Sequence, residues 1–253
     1  MRSSALLFSV LVLSVCSPAQ SSGVPQGGTE QESSKIGPSA VWQPPADFIT
    51  KAHAACDATN PPNYGQCFLD QMAKSGAPAD AVTFARTLYK QSDGQVGIMT
   101  AFQKAGPVDM ARVMYPLRAN DNYGLLLVNG DPNLLDVDDL GKLDRAGMQK
   151  AEVYQVIKDR FPHVELFTGD RSGTNWPAPS ATPGGGQQFI IGNPLRDGCR
   201  ACRPLGSARF AWDFDAQGKF LKTVYIQTTP PRLIRPKPAE AHPPQAPTQP
   251  PQQ

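Results

Sequence analysis

Two close pairs of cysteines limit what this 253-residue chain can fold into more than any other feature: Cys56 with Cys67, and Cys199 with Cys202 in a CxxC motif. Whether such pairs become disulfides depends on the compartment they reach. The N-terminus bears on this. Met1, Arg2, Ser3 and Ser4 precede an apolar run from Ala5 to Val15, a short cationic region followed by a hydrophobic one too brief to span a bilayer. Residues 1–19 therefore read as a secretory signal cleaved after Ala19, with Ser17 and Ala19 at the two recognition positions. A lipid anchor at Cys16 is the competing fate. Leu13 and Ser14 suit it, but Val15 stands where such signals place Gly, Ala or Ser. Export implies a periplasmic or secreted protein. In that oxidising setting the most economical pairing is Cys56 with Cys67 and Cys199 with Cys202.

The organisation expected beyond the signal has three parts. Residues 20–45, rich in Ser, Gly, Gln and Pro, lack the apolar residues needed to order themselves and read as a flexible spacer. Residues 46–229 read as a single disulfide-braced domain. Residues 230–253, dominated by Pro, Gln and Ala, favour extended polyproline II and read as a disordered tail, a possible contact for a cell-envelope partner. The rest of the chain contains no other long apolar run, so no transmembrane span is expected. A formal net charge of +2, with Lys and Arg scattered rather than striped, gives no drive toward nucleic acid.

Within the domain, helical spacing is visible over 46–58 (Phe48, Ile49, Ala52, Ala55, Cys56). It recurs from about Gly65 to Lys74 and from Pro78 to Gly94, with Pro61 and Pro62 read as a break. After Gly94 the texture changes to β-branched and aromatic runs: Ile98 to Phe102, Val108 to Tyr115, Tyr123 to Val128 and Leu134 to Val137. The last two are joined by an Asn129-Gly130-Asp131-Pro132 turn. A helix is expected over Met148 to Arg160 and strands at Val164 to Phe167 and Gln188 to Ile191. The proline- and glycine-rich stretch from Arg171 to Gly186 reads as a mobile surface loop. Ser207 to Gln227 reads as a hairpin in which Phe210, Trp212 and Phe214 face a core. The expected fold class is α+β: an N-terminal helical cluster, then a mostly antiparallel sheet with a covering helix.

The chemistry-bearing motifs are weaker than their structural explanations. Cys199-Arg200-Ala201-Cys202 has redox spacing, but Pro204 and Gly206 deny it the helix that would lower a thiol pKa, so a structural clamp is expected. Arg203 in place of His rules out covalent haem. His53, Cys56 and Cys67 lack a fourth ligand for zinc, and no metal or other cofactor is expected. The run from Asp213 to Gly218 begins like a calcium loop but lacks its later ligands, notably with Val224 where a bidentate Glu belongs. Asp136, Asp138 and Asp139 precede Leu140, where a helix start would welcome them as caps. His53 and His163 stand in no recognisable triad, and Gly184-Gly185-Gly186 lacks the Lys of a phosphate loop.

Asp197-Gly198-Cys199-Arg200-Ala201-Cys202, followed by Gly206-Ser207-Ala208 and Phe214-Asp215-Ala216-Gln217-Gly218-Lys219-Phe220, resembles a C-terminal module of exported bacterial proteins. The resemblance covers about the last third of the domain. It implies no activity and carries over no functional residue. The expectation is thus a non-enzymatic binding or scaffolding domain of the cell envelope. The alternatives are a thiol-disulfide redox protein using Cys199 and Cys202, and a small hydrolase with a site the sequence does not reveal.

Overall fold

The computed structural model describes residues 35–56, 61–92, 94–118 and 122–230, all within one compact unit that begins at Ser34. The expected signal, Cys16, the first part of the expected spacer and the expected tail from residue 231 lie outside the described residues. The fold class is α+β, with helices first and antiparallel strands after them.

Three helices open the domain: α1 (Phe48–Ala55), α2 (Pro61–Lys74) and α3 (Ala79–Gln91). Their apolar stripes meet in a small core built on Phe48, Phe68, Leu69 and Met72. Trp42, Phe48 and Phe68 stack edge to face within it. Cys56 and Cys67 are bonded across α1 and α2, with Cα atoms 5.8 Å apart. Pro61 and Pro62, expected to break the chain, instead begin α2, since a first-turn proline has no amide hydrogen to lose.

Four strands follow as an antiparallel meander: β1 (Ile98–Gln103), β2 (Asp109–Met114), β3 (Tyr123–Val128) and β4 (Leu134–Asp136). The period-two rule assigns their side chains to two cores. Leu126 and Val128 face α3 with Phe84 and Leu88, while Leu125 and Leu127 face the other way. On that other side lies a second sheet rather than a continuation of the first. It is built from β5 (Val164–Leu166), β6 (Pro179–Ala181), β7 (Gln187–Asp197), β8 (Pro204–Phe214) and β9 (Phe220–Thr229). The order is β5-β7-β8-β9, with β6 also paired to β7. Phe189 and Ile191 of β7 and Phe210, Trp212 and Phe214 of β8 supply its half of the shared core, as their alternation in sequence foretells.

Buried hydrogen bonds pin the two sheets together. Gln187, 5% exposed, accepts from the Val108 amide and donates to the Ala105 and Val108 carbonyls. The β3–β4 turn meets the β8–β9 turn, where the Asp131 amide donates to the Gly218 carbonyl and the Phe220 amide to the Asp131 carbonyl. A side chain at Gly130 would bring its Cβ to 2.6 Å from the Gly218 oxygen, so this approach needs glycine.

One edge of each sheet, β1 in the first and β9 in the second, is covered, which accounts for two departures from expectation. Residues 35–45, expected in the spacer, dock along β1: the Trp42 amide donates to the Met99 carbonyl and Gln43 to the Thr100 carbonyl, while Ala40 and Trp42 are buried. On β9, Tyr225 and Thr223 donate to Asp144 and to the Lys142 carbonyl. The helix expected over Met148 to Arg160 is two, α4 (Arg145–Lys150) and α5 (Glu152–Arg160), divided at Ala151, whose ψ of 131° is extended. The break lets Met148, Tyr154 and Ile157 all reach the shared core.

Candidate ligand cleft

The stretch expected to be a mobile loop between Arg171 and Gly186 is the main revision that bears on function. Its latter part forms β6, its tip turns through Gly184 and Gly185, and Trp176 packs against the shared core. Between this segment and the first sheet lies a cleft of about 310 Å³, bordered by Arg112, Leu125, Asp170, Arg171, Asn175 and Trp176. Two strand positions make its inner wall. Arg112 on β2 and Leu125 on β3 are direct partners across the ladder, so both point to the face that carries Met110 and Leu127.

Arg171 anchors the cleft from below. Its Nε and Nη2 atoms sit 3.0 and 2.9 Å from Asp138 Oδ1, its Nη1 donates to the Gly192 carbonyl at 3.2 Å, and its Nη2 also donates to Asn193 Oδ1 at 2.9 Å. Asn193 is 1% exposed, and the Arg171 and Asp138 side chains are 11% and 7% exposed. One guanidinium thus ties the end of β4, the cleft segment and β7 into a unit. Burial pushes the Asp138 carboxyl up to about 6 despite the opposing pull of Arg171. Burial also raises Asp136, whose Oδ1 accepts from the Asp138 amide and whose Oδ2 lies 4.0 Å from Arg118. Arg118 in turn lies over the Tyr115 ring at 3.5 Å, and burial raises the Tyr115 hydroxyl.

Arg112 is held differently. Its guanidinium lies over the Trp176 ring at 4.3 Å, and its Nη2 donates to the Asn175 carbonyl at 2.6 Å. Burial lowers its affinity for its proton. Among the described residues no carboxylate forms an ion pair with it. Asp170, which also borders the cleft, accepts from the Ser172 hydroxyl and amide, and these bonds hold its carboxyl below the usual range.

The residues singled out by sequence lie elsewhere. Cys199 and Cys202 are bonded at the tip of the β7–β8 hairpin, with Cα atoms 5.0 Å apart. The turn there begins at Gly198 with φ of 75°, a left-handed conformation that favours glycine. Arg196 donates to the Cys202 carbonyl, Arg200 donates to Thr168 Oγ1, and Arg203 lies 5.6 Å from the Phe161 ring centre. His53 Nδ1 and the Tyr64 hydroxyl share a hydrogen bond in the helical cluster, where Cys56 and Cys67 are engaged with each other. Among the described residues no group of three metal-ligating side chains forms. Asp139 caps the short turn at Leu140–Lys142, as expected for that acidic cluster, whereas Asp138 does not cap but binds Arg171. Asp215 closes the β8–β9 turn by accepting from Gln217 and Lys219. His163 is exposed beside that CxxC turn, its Cβ within 3.4 Å of where a Gly198 side chain would begin.

Sequence reasoning did not single out Arg112, Arg171 or Trp176. The signal for Arg112 was present, because it shares the inward register of Val108 and Met110 within an expected strand, and a charge in that register needs an explanation. No family model, curated protein or solved structure matches this chain.

Proposed function

We propose that this is an exported cell-envelope protein whose domain binds a small ligand in the cleft between Arg112 and Asp170. The coarser facts favour this setting: the chain holds two disulfides, and no described helix is long and apolar enough to cross a membrane. One observation carries the reading. The cleft presents a stacked guanidinium, an aromatic ring, an apolar wall at Leu125 and an ionised carboxylate to one space, a mixture suited to recognition. The Arg171 network supports it from below, as a preorganised site requires.

Gly173 offers a test, because it borders the cleft and a Cβ there would meet nothing within 4 Å, so a bulky side chain is accommodated at the cleft's border without displacing the fold. Native mass spectrometry of the protein purified without reductant, with a thermal-shift panel of sugars, amino acids and organic acids, should reveal a ligand. The variant Gly173→Phe should lose it. A wild-type protein that carries and binds none of them, or a Gly173→Phe variant that binds undiminished, ends the proposal.

A second reading uses Cys199 and Cys202 as a thiol-disulfide pair. It is favoured by the exposure of Cys199 and by Arg196, Arg200 and Arg203 around the turn, cations that stabilise a thiolate once the bond is reduced. Catalysed reduction of insulin, lost in Cys199→Ala, is its signature; no turnover leaves the pair a clamp.

A further inference from the structure

The two arginines of the cleft differ in what they leave unsatisfied. Arg171 meets a carboxylate, a side-chain amide and a backbone carbonyl. Arg112 offers five N–H donors, of which one reaches a protein acceptor, the Asn175 carbonyl. Its plane is fixed by Trp176, so the unused donors keep one orientation. A partly buried guanidinium with its donors held in one orientation and no counter-charge among the described residues is ready for a partner, and a planar oxyanion meets it with two parallel hydrogen bonds. Asp170 narrows the choice of oxyanion. Its charge at the cleft border repels a dianion, yet its oxygens accept from hydroxyl or ammonium groups. Leu125 and Pro177 add an apolar surface, and a volume of about 310 Å³ suits a molecule of monosaccharide or amino-acid size.

We infer that the cleft takes a small organic monocarboxylate, its carboxylate in the fork of Arg112 and its hydroxyl or ammonium donors facing Asp170. This rests on the cleft being the binding site. Arg112 selects the acid, and Asp170 selects for donors and against phosphate.

The test is calorimetric titration of the full chain with four probes: sodium D-glucuronate, L-serine, D-glucose and sodium phosphate. At least one of the two carboxylates should bind, glucuronate if the donors are hydroxyls and serine if the donor is ammonium. Arg112→Met should weaken that binding by about ten- to a hundredfold, the effect of removing a charge-assisted hydrogen-bond partner, and Arg112→Lys by less. Near-UV circular dichroism checks that Arg112→Met has folded, and if it has not, Arg112→Lys carries the test through its loss of the two-pronged geometry. Phosphate binding as tight as the carboxylate overturns the inference, as does carboxylate affinity that survives Arg112→Met. Glucose bound as tightly as glucuronate and lost in Gly173→Phe overturns the carboxylate alone and leaves the cleft a binding site. If none of the four binds while Gly173→Phe displaces some other ligand, the ligand class is wrong and the cleft is right.

Discussion

Arg171 and Arg112 border the same cleft, and the molecule treats them in opposite ways. The floor around Arg171 is closed: its charge is cancelled by Asp138 and its donors are taken up by Gly192 and Asn193. The wall around Arg112 is open, with an aromatic ring and one carbonyl where the floor has a carboxylate. A buried charge compensated from within the protein is architecture, whereas one oriented but left uncompensated is available to something from outside. Each prediction below tests whether that division holds.

The largest effect belongs to the floor. Arg171→Met removes the partner of a carboxylate whose side chain is 7% exposed and should destabilise the domain by about 3–5 kcal/mol in urea unfolding, because Asp138 is left buried and unpaired. The double variant Arg171→Met with Asp138→Leu should recover much of that loss, since an apolar pair removes the orphaned charge. If Arg171→Met unfolds at the wild-type urea concentration, the floor is no more structural than the wall and the comparison fails.

Acidity sharpens the same point. The Asp138 carboxyl lies near 3.9 in an unfolded chain and is pushed up to about 6 in the fold. Between those values the folded state binds more protons. The stability this group contributes is therefore fully present below about pH 4 and is lost as pH rises through about 6, by an amount on the order of 2–3 kcal/mol. Comparing wild type with Asp138→Asn at about pH 4.5 and about pH 7.5 isolates it: the wild-type stability relative to the variant should be greater at the acid end. A flat difference would mean that Arg171 compensates Asp138 completely. Asp170 at the cleft runs the other way, because its carboxyl is held low and its contribution is lost on acidification.

Next in size is the link between the hairpin tip and the cleft segment. Cys199→Ala with Cys202→Ala should cost about 2 kcal/mol on the loop-entropy argument. It should leave the floor intact, since Arg171 is tied through Gly192 and Asn193 rather than through the tip. Hydrogen exchange reads this directly: faster exchange around Thr168, the partner of Arg200, with unchanged protection at Phe189 and Ile191, is the expected pattern. Loss of protection at those β7 positions would show that the disulfide also holds the floor.

How much of this was legible in the chain follows from what each residue type can announce alone. The inward alternation of Phe210, Trp212 and Phe214, the helical stripes, the two cysteine pairs and the turn at Asn129 are local signals, and each has its counterpart in the fold. Which strands share a sheet is not local: nothing near Leu134 or Val164 says that the chain leaves one sheet there and starts another. The docking of Trp42 on β1 was hidden for the same reason, because its acceptor, Met99, is remote in sequence. The cleft is the extreme case. Arg171 and Trp176 sit in a proline- and glycine-rich stretch that reads as loop, and only their partners on β2, β4 and β7 give them a role.

The smallest effect on stability should be the most informative about function. Arg112→Met forfeits a cation–π contact worth about 0.5–1 kcal/mol and one hydrogen bond to a carbonyl that solvent can reach, but it also removes a partly buried charge that no described carboxylate balances. These contributions oppose one another, and methionine keeps the apolar stem against Trp176, so the net change in urea unfolding should stay within about 0.5 kcal/mol. The contrast with Arg171→Met is then several kcal/mol between two arginines of one cleft, which follows whether a buried carboxylate depends on the guanidinium. A loss at Arg112 above about 2 kcal/mol would place it with the structural groups and remove the reason for expecting an anion there. A negligible change, with ligand affinity lowered as titration measures it, would mean that this guanidinium is kept for what it binds and not for what it holds together.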